Sequence, residues 1–539
     1  MRGMYGILNT STGGFVLLFG IYSEELITEK RRVHAMKRIK AFGSFFLAML
    51  MLLSTVAALA GCGETPVEDP VQTQAPTTTA AAADAADDGT TAPPETTAEP
   101  IKDNLPDKNY NNEEFYILCM EELKKYYLAT EEDQADILGS AVYARNRTVE
   151  ERFGVKIVPI PLPGMAAGSS GFIAAIDKSV NAMDGAYDIV APNYWYGIDQ
   201  AAKGSYLDLL QFEYLDFDQP WWAAGYVDNL VINDKLYATT GDYDLQQYSS
   251  LLVTFFNQDL IEKNGMENPY DLVEQGKWTY ETMYSMASKV GGDLNGDSGY
   301  DDQDLYGGIW NKWAIRGFLT AFDLRAVSLN ESGELEVTLQ NEKSIDAYDK
   351  IFSLIHNEQF VYKSTGGYTD NDKMISMFTN DQALFFGIHL SAAELMRDMK
   401  NDYGIVPMPK WDEKQENYVT GSVGCTIFAI PISATDPEKS SIILEALCME
   451  SYRQVVPVYY ETILKYRDAR DAKASEMIEL CRNTLFYDWG YIWDTSIGGP
   501  YIAWGDHIVM KSGGGLASWF AAEGPLYKST LKRLLRKFE

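Results

Sequence analysis

Glu114-Phe115-Tyr116-Ile117-Leu118 is a short apolar run of β character, and the residues that follow it decide the fold. Leu138, Val142, Val149 and Phe153 come next at separations of four and seven, as on one face of a helix, and Gly154 ends the pattern. Val155 to Ile160 is again β-like. Phe172, Ile173, Ile176, Val180 and Met183 mark a second helix, and Tyr187-Asp188-Ile189-Val190 a third strand. Strand, helix, strand, helix, strand predicts a parallel layer of α/β class, because parallel neighbours need a crossover and these crossovers are helical.

Working toward the C-terminus, Leu251 to Phe256 is a further strand leading into Asn257-Gln258-Asp259-Leu260. Trp278-Thr279-Tyr280-Glu281 starts a helix running toward Val290. Between Lys373 and Met399 the pattern predicts a helix, a strand (Ala383 to Ile388) and another helix, and Tyr403-Gly404-Ile405-Val406-Pro407 is a strand ending in proline. Helical patterns dominate after Asp436, opening with Pro437-Glu438 in a first turn. No repeat of fixed period is present.

Toward the N-terminus, basic Met36-Lys37-Arg38-Ile39-Lys40 precedes an apolar run from Ala41, which ends in Leu59-Ala60-Gly61-Cys62. Positive, then apolar, then small is the order of a secretory signal. The cysteine after Leu-Ala-Gly resembles the lipobox of bacterial lipoproteins, which implies acylation of Cys62 and cleavage just before it. A plain membrane-spanning helix is the alternative, since about 20 apolar residues cross a bilayer. No basic stop-transfer cluster follows, however. Met36 is the expected start, with residues 1 to 35 an over-extended reading of it. Residues 62 to 107 are Thr, Ala, Pro, Asp and Glu with few large apolar groups, so they are expected to form a disordered, lipidated tether. The body then runs from 108 to 539, its first lobe about 108–255 plus a later return segment and its second mainly 256–539.

Charge excludes one class of partner. The chain has 45 Lys+Arg and 77 Asp+Glu; 7 and 3 of these precede Cys62, leaving 38 against 74 and a net charge of −36. Such a surface repels a phosphate backbone, so nucleic acid is not an expected partner. Beyond Cys62, the cysteines Cys119, Cys425, Cys448 and Cys481 are widely spaced with no Cys-x-x-Cys pair, and disulfides and buried thiols both remain open. His34, His356, His389 and His507 are scattered, which disfavours a metalloprotease.

The lipobox, the tether, Arg145-Asn146-Arg147-Thr148-Val149-Glu150-Glu151-Arg152-Phe153-Gly154, Tyr187-Asp188-Ile189-Val190, Phe256-Asn257-Gln258-Asp259-Leu260 and Asp402-Tyr403-Gly404-Ile405-Val406-Pro407 together resemble the extracellular solute-binding proteins of bacterial ABC importers. Within these, the chain looks like the large sugar-type branch that includes maltodextrin-binding proteins, over most of residues 110 to 490. The resemblance implies a two-lobed periplasmic-binding-protein-like fold, each lobe a mixed sheet flanked by helices and joined by crossing hinge segments. It also implies a monomer held outside the cytoplasmic membrane, an oligosaccharide captured by cleft closure, a permease as partner, and no catalytic residues. Sugars need apolar ring faces and polar edges, which aromatic rings beside carboxylates and amides supply.

On that basis Asn193-Tyr194-Trp195-Tyr196, directly after the strand ending at Val190, is the expected first-lobe contact, at the carboxyl edge of the sheet where open α/β folds bind ligands. Pro220-Trp221-Trp222 reads better as a core cap. Asp242 and Tyr248 fall where the family chain turns into the interlobe crossing and are further expected contacts, with a turn cap the equal alternative for Asp242. In Tyr306-Gly307-Gly308-Ile309-Trp310-Asn311-Lys312-Trp313 two tryptophans lie three apart on a glycine-led turn; Trp310 is the expected second-lobe stacking ring, with Trp313 behind it. His389 ends a strand that faces the cleft or the core. One of the late rings Trp489, Trp493, Trp504 and Trp519 is a further possibility.

A separate signal is local. Asp293, Asn295, Asp297, Asp301 and Asp304 place oxygen side chains at the first, third, fifth, ninth and twelfth positions of a loop, the spacing of an EF-hand-type calcium site. Ser298 stands where glycine makes the turn, and Asp304 replaces the bidentate glutamate. A structural calcium is expected, with a metal-free Asx-rich turn as the alternative. Two rival functions remain. One is a secreted calcium-bearing carbohydrate-active hydrolase, which needs two carboxyl groups set across a cleft. The other is a binding protein for a peptide or another solute on the same fold.

Overall fold

The structure, a computed structural model, describes residues 103–128, 136–363, 370–465, 472–510 and 515–539. The signal run, Cys62 and all of the tether before Asp103 lie outside them. Glu99–Glu539 forms one compact unit.

The alternating segment folds as its periodicity predicts. Strand β1 is Glu113–Met120, β2 Val155–Leu162 and β3 Ile189–Ala191, with helices Ile137–Phe153 and Ser169–Ala182 as the crossovers. Asp136 caps the first helix by accepting the Gly139 N–H at 3.3 Å, and Gly154, at φ +57°, ends it in the left-handed region that only glycine enters freely. The strands pair in the order β2-β1-β3, both pairings parallel. Side chains alternate across β1. Ile117 and Cys119 pack with Val142 and Phe153 of one helix, and Leu118 and Met120 with Phe172 and Ile176 of the other. Both faces of the layer are thereby covered.

The second sheet is mixed. It comprises β4 (Leu252–Asn257), β5 (Gly291–Gly292), β6 (Leu305–Trp310), β9 (Val361–Lys363), β10 (Ala383–His389) and β11 (Tyr403–Pro407), with a separate hairpin of β7 (Val327–Leu329) and β8 (Leu335–Val337). The order is β11-β4-β10-β6-β5, with β9 also on β6. β4 runs antiparallel to β10 and β11, and β6 is parallel to β10 and β9.

Two stretches join the sheets. Thr239 bridges Phe428, and Val190 and Asn193 bridge Ala429 and Thr426, so the chain returns beside β3 after leaving β11. Leu251 bridges Ser422 at the entry to β4. Helix Pro437–Glu450 then packs on Ile137–Phe153, so the chain returns to the first lobe through it. Helices Pro500–Met510 and Leu516–Leu535 pack back onto second-lobe helices Lys312–Ala321 and Glu342–Ile355. The four described cysteines are free and buried, and burial pushes the Cys119 and Cys481 thiols up to about 12. Among the described residues no helix is long and apolar enough to cross a membrane.

Candidate functional site

The first-lobe contribution starts at Asn193, whose Oδ1 accepts the Trp195 N–H at 3.0 Å and so nucleates the short helix Tyr194–Gly197. Successive helical residues point about 100° apart, which separates the three aromatics. Tyr194 turns inward and is buried, while Trp195 and Tyr196 are half-buried. Trp195 stands edge-on to Tyr194, with ring centres 6.0 Å apart.

The second-lobe contribution comes from helix Lys312–Ala321. Asn311 caps it by accepting the Ala314 N–H at 2.8 Å. Trp313, Arg316 and Thr320 recur at helical spacing on one face and line a narrow hollow. The Arg316 guanidinium lies 4.4 Å over the Trp313 ring and is ion-paired to Asp506, which also takes Lys312 at 2.9 Å. This arrangement pins the indole by a cation–π contact while its cation is held by a carboxylate.

Two tyrosines that sequence reasoning missed complete the hollow. Tyr491 lies 5.1 Å from Tyr194 and 4.6 Å from Tyr501, and the Tyr501 hydroxyl meets Thr320 Oγ1 at 2.9 Å. A continuous chain of rings thus runs from Trp195 of the first lobe to the Trp313 helix of the second. Buried carboxylates set both tyrosines. Asp488 accepts the Tyr491 N–H at 3.1 Å and the Ala326 N–H at 2.9 Å, and Asp494 accepts the Tyr501 N–H at 2.8 Å. The signal for these residues was the aromatic density after Asn483, but it was read on tryptophans. Trp489, Trp493, Trp504 and Trp519 are all buried in the core. The space left in the hollow is about 10 Å³, the room of one water.

Trp310 and Trp313 exchange the ranks that sequence assigned them. The glycine-led segment is strand β6 rather than a turn, and Trp310 is fully buried. Its ring lies over Gly308 and Gly387, where any Cβ would overlap it, so the glycines form the bed of a core indole. His389 is half-buried at the end of β10; Nδ1 meets Ser391 Oγ at 2.8 Å and Nε2 meets Asn371 Nδ2 at 3.4 Å. Burial lowers its pKa to about 4 and keeps it neutral.

Asp242 and Tyr248 are not brought to this hollow. Both are buried, the Tyr248 hydroxyl donating to Asp242, and Asp242 Oδ2 lies 3.6 Å from Arg482. Tyr248, Arg482 and Trp222 line a separate pocket of about 400 Å³ that shares no residue with the first. Trp221 and Trp222 donate to Glu445 at 2.7 and 2.9 Å, which makes the pair a core cap.

In the loop after β5 the carboxylates face backbone amides. Asp293 accepts from Gly296 and Ser298, Asn295 from Asp297, Asp297 from Gly299, and Asp304 from Leu294 and Asp301. Ser298 holds φ +69°, the left-handed conformation that the sixth position requires. The donor set therefore fits calcium in kind and order. Its oxygens do not converge, and among the described residues no three His, Cys, Asp or Glu gather as a metal site.

Burial raises several carboxylates toward neutrality: Asp488 to about 6, Asp242, Asp244 and Asp494 to about 7, and Glu445 to about 8. Above the unfolded pKa the folded state holds protons that the unfolded chain has released, so stability falls as pH rises through this window. Urea midpoints are expected to decrease from about pH 5 to about pH 8. Asp494→Asn, which keeps an acceptor for Tyr501, should shallow the slope. A midpoint that rises over the same range would contradict these assignments.

Residues 147–440 match the family model of bacterial extracellular solute-binding proteins. The chain belongs to that family. No curated protein matches this solute-binding protein by sequence. Among solved structures it is similar to the galacto-N-biose/lacto-N-biose I-binding protein of an ABC transporter from Bifidobacterium longum, at 12% identity, 79% of this chain, 99% of that one and a TM-score of 0.52. It is also similar to the GacH receptor of Streptomyces glaucescens, at 14% identity, 78% and 99% coverage and a TM-score of 0.50. UspC of M. tuberculosis is similar at 14% identity, with 77% and 100% coverage and a TM-score of 0.50. At such identities the likeness carries the fold, which is the two-lobed one of binding proteins.

Proposed function

We propose that this solute-binding protein is the lipid-anchored, extracellular receptor of an ABC importer, and that it captures an oligosaccharide by closing its lobes and hands it to a permease. The carrying observation is the ring path from Trp195 through Tyr194, Tyr491 and Tyr501 to the helix bearing Trp313 and Arg316. Pyranose faces stack on such rings, and Arg316, Lys312 and Asp506 offer donors and acceptors to hydroxyls. The lacto-N-biose complex of the Bifidobacterium longum protein and the acarbose complex of the GacH receptor support a carbohydrate. Cys62 would carry the lipid, and the protein acts by binding, without catalysis.

Ligand bound only by the folded, closed state raises the melting midpoint. A thermal-shift panel of oligosaccharides and peptides on the chain from Gly63 to Glu539 therefore tests the reading. A shift with a saccharide and none with peptides supports it; the reverse selects a peptide receptor. Release of product from a labelled glycan would instead select the hydrolase.

We further propose that calcium braces the 293–304 loop, with Asp293, Asn295, Asp297, Asp301 and Asp304 turning from the amides to the ion. Chelator should then lower the melting midpoint by a few degrees and added calcium restore it. An unchanged midpoint would leave the loop as the metal-free turn.

A further inference from the structure

The C-terminal helix Leu516–Leu535 carries a charge pattern at odds with the rest of the chain. Tyr527, Leu531 and Leu534 are buried on one side. Lys528, Lys532, Arg533, Arg536 and Lys537 are all exposed and, at about 100° per residue, spread over the opposite half of the helix and its C-cap. None of the five forms an ion pair among the described residues, where many other cations sit against a carboxylate.

Local stability does not account for the pattern. A helix C-terminus favours cations only in its last turn, and Lys528 lies a turn earlier. Lys528 with Lys532, Lys532 with Arg536, and Arg533 with Lys537 are like charges four apart, which repel. Glu334 and Glu336 of the β7–β8 hairpin, with Glu539, share a groove with Lys528, Lys532 and Arg536 without reaching ion-pair distance, while Arg533 and Lys537 lie outside that groove. Apolar groups accompany the cations: Leu526 is 50% exposed on the same half, and Leu329, at the hairpin beside it, is 65% exposed.

We propose that this face docks the body onto an anionic membrane, with phospholipid phosphates taking the five cations and Leu526 and Leu329 entering the headgroup–acyl boundary. Unpaired cations interleaved with exposed leucines suit an interface that is charged at its surface and apolar beneath, better than a soluble polyanion. A lipid on Cys62, as proposed above, would already hold the body near such a surface. The docked body would be held flat rather than free at the end of its tether, presenting a constant orientation to a permease. The inference stands apart from the saccharide reading.

Flotation of the unlipidated chain from Gly63 to Glu539 tests it, on vesicles of phosphatidylcholine alone and of phosphatidylcholine with equal phosphatidylglycerol. Binding is expected only with phosphatidylglycerol and is lost at high salt. The exposed quadruple variant Lys532→Glu, Arg533→Glu, Arg536→Glu, Lys537→Glu should partition at least about tenfold less, with its melting midpoint and any saccharide-induced shift retained. Leu526→Asp should weaken flotation separately. Equal flotation of wild type and charge variant, equal binding to phosphatidylcholine alone, or no flotation of the wild type would overturn the proposal. Capture of soluble polyphosphate or nucleic acid without vesicle binding would overturn it in favour of another polyanion.

Discussion

Trp310→Ala is expected to lower stability by about 3–5 kcal/mol, the range for removing a fully buried indole. The ring fills the space over Gly308 and Gly387 and contacts Phe318 at 6.4 Å between centres, so its loss opens a cavity where β6 and β10 meet helix Lys312–Ala321. That helix carries Trp313 and Arg316, and saccharide affinity should fall only as far as the lobe loosens. Trp310→Phe should recover much of the loss, because the indole N–H has no hydrogen-bond partner to forfeit. Urea unfolding decides the matter: a loss under about 1 kcal/mol for Trp310→Ala would show that the ring is not the core element its burial indicates.

Trp195→Ala and Trp313→Ala are expected to behave in the opposite way. Both rings are half-buried, Trp313 lining the hollow and Trp195 standing at the far end of the ring path that leads to it, so stability should change by about 1 kcal/mol or less while saccharide affinity falls about thirtyfold or more. Trp313 should have the larger effect, since Arg316 and Asp506 hold its ring in place before ligand arrives and less ordering is lost on binding. Calorimetry with the saccharide identified by thermal shift provides the measurement. Unchanged affinity in Trp195→Ala would remove the first-lobe loop from the site, and unchanged affinity in both would move the site elsewhere, the Trp222, Tyr248 and Arg482 pocket being the next to test.

The legible and illegible parts of the molecule divide along a physical line. Period-3.6 and period-2 patterns are imposed by neighbours within one element, so β1, its two crossover helices, β2, β4, β10 and β11 could be placed from residue spacing. The Asn193 loop was legible for a related reason, since a short loop after a parallel strand lies at the carboxyl edge of its sheet. Direction within that loop was not. Tyr194 and Trp195 are equivalent aromatics in the sequence, and only the turn begun by the Asn193 cap sends one to the core and leaves the other half-buried.

Trp310 and Trp313 show the same limit more sharply. Their order depends on where β6 ends, and of the two glycines that suggested a turn Gly308 lies under the Trp310 indole while Gly307 packs against the Ala287 backbone. Tyr491 and Tyr501 are about 300 residues from Tyr194 in the chain, and nothing local distinguishes them from the buried tryptophans around them. Asp242 shows a comparable limit: a carboxylate before a crossing strand suits a sugar hydroxyl, and only the fold shows that it is buried against Tyr248 and Arg482, away from the Trp313 hollow.

By itself, then, the sequence determined the α/β class, the acidic composition, the family motifs and the elements of the first lobe, because each depends on composition or on residues close in the chain. Only the tertiary structure decided which rings meet across the lobes, that the return to the first lobe runs through Pro437–Glu450, and that five cations of the last helix share its exposed side. Those outcomes depend on burial and on contacts between distant segments, which enter the chain's energetics only once the two sheets have packed.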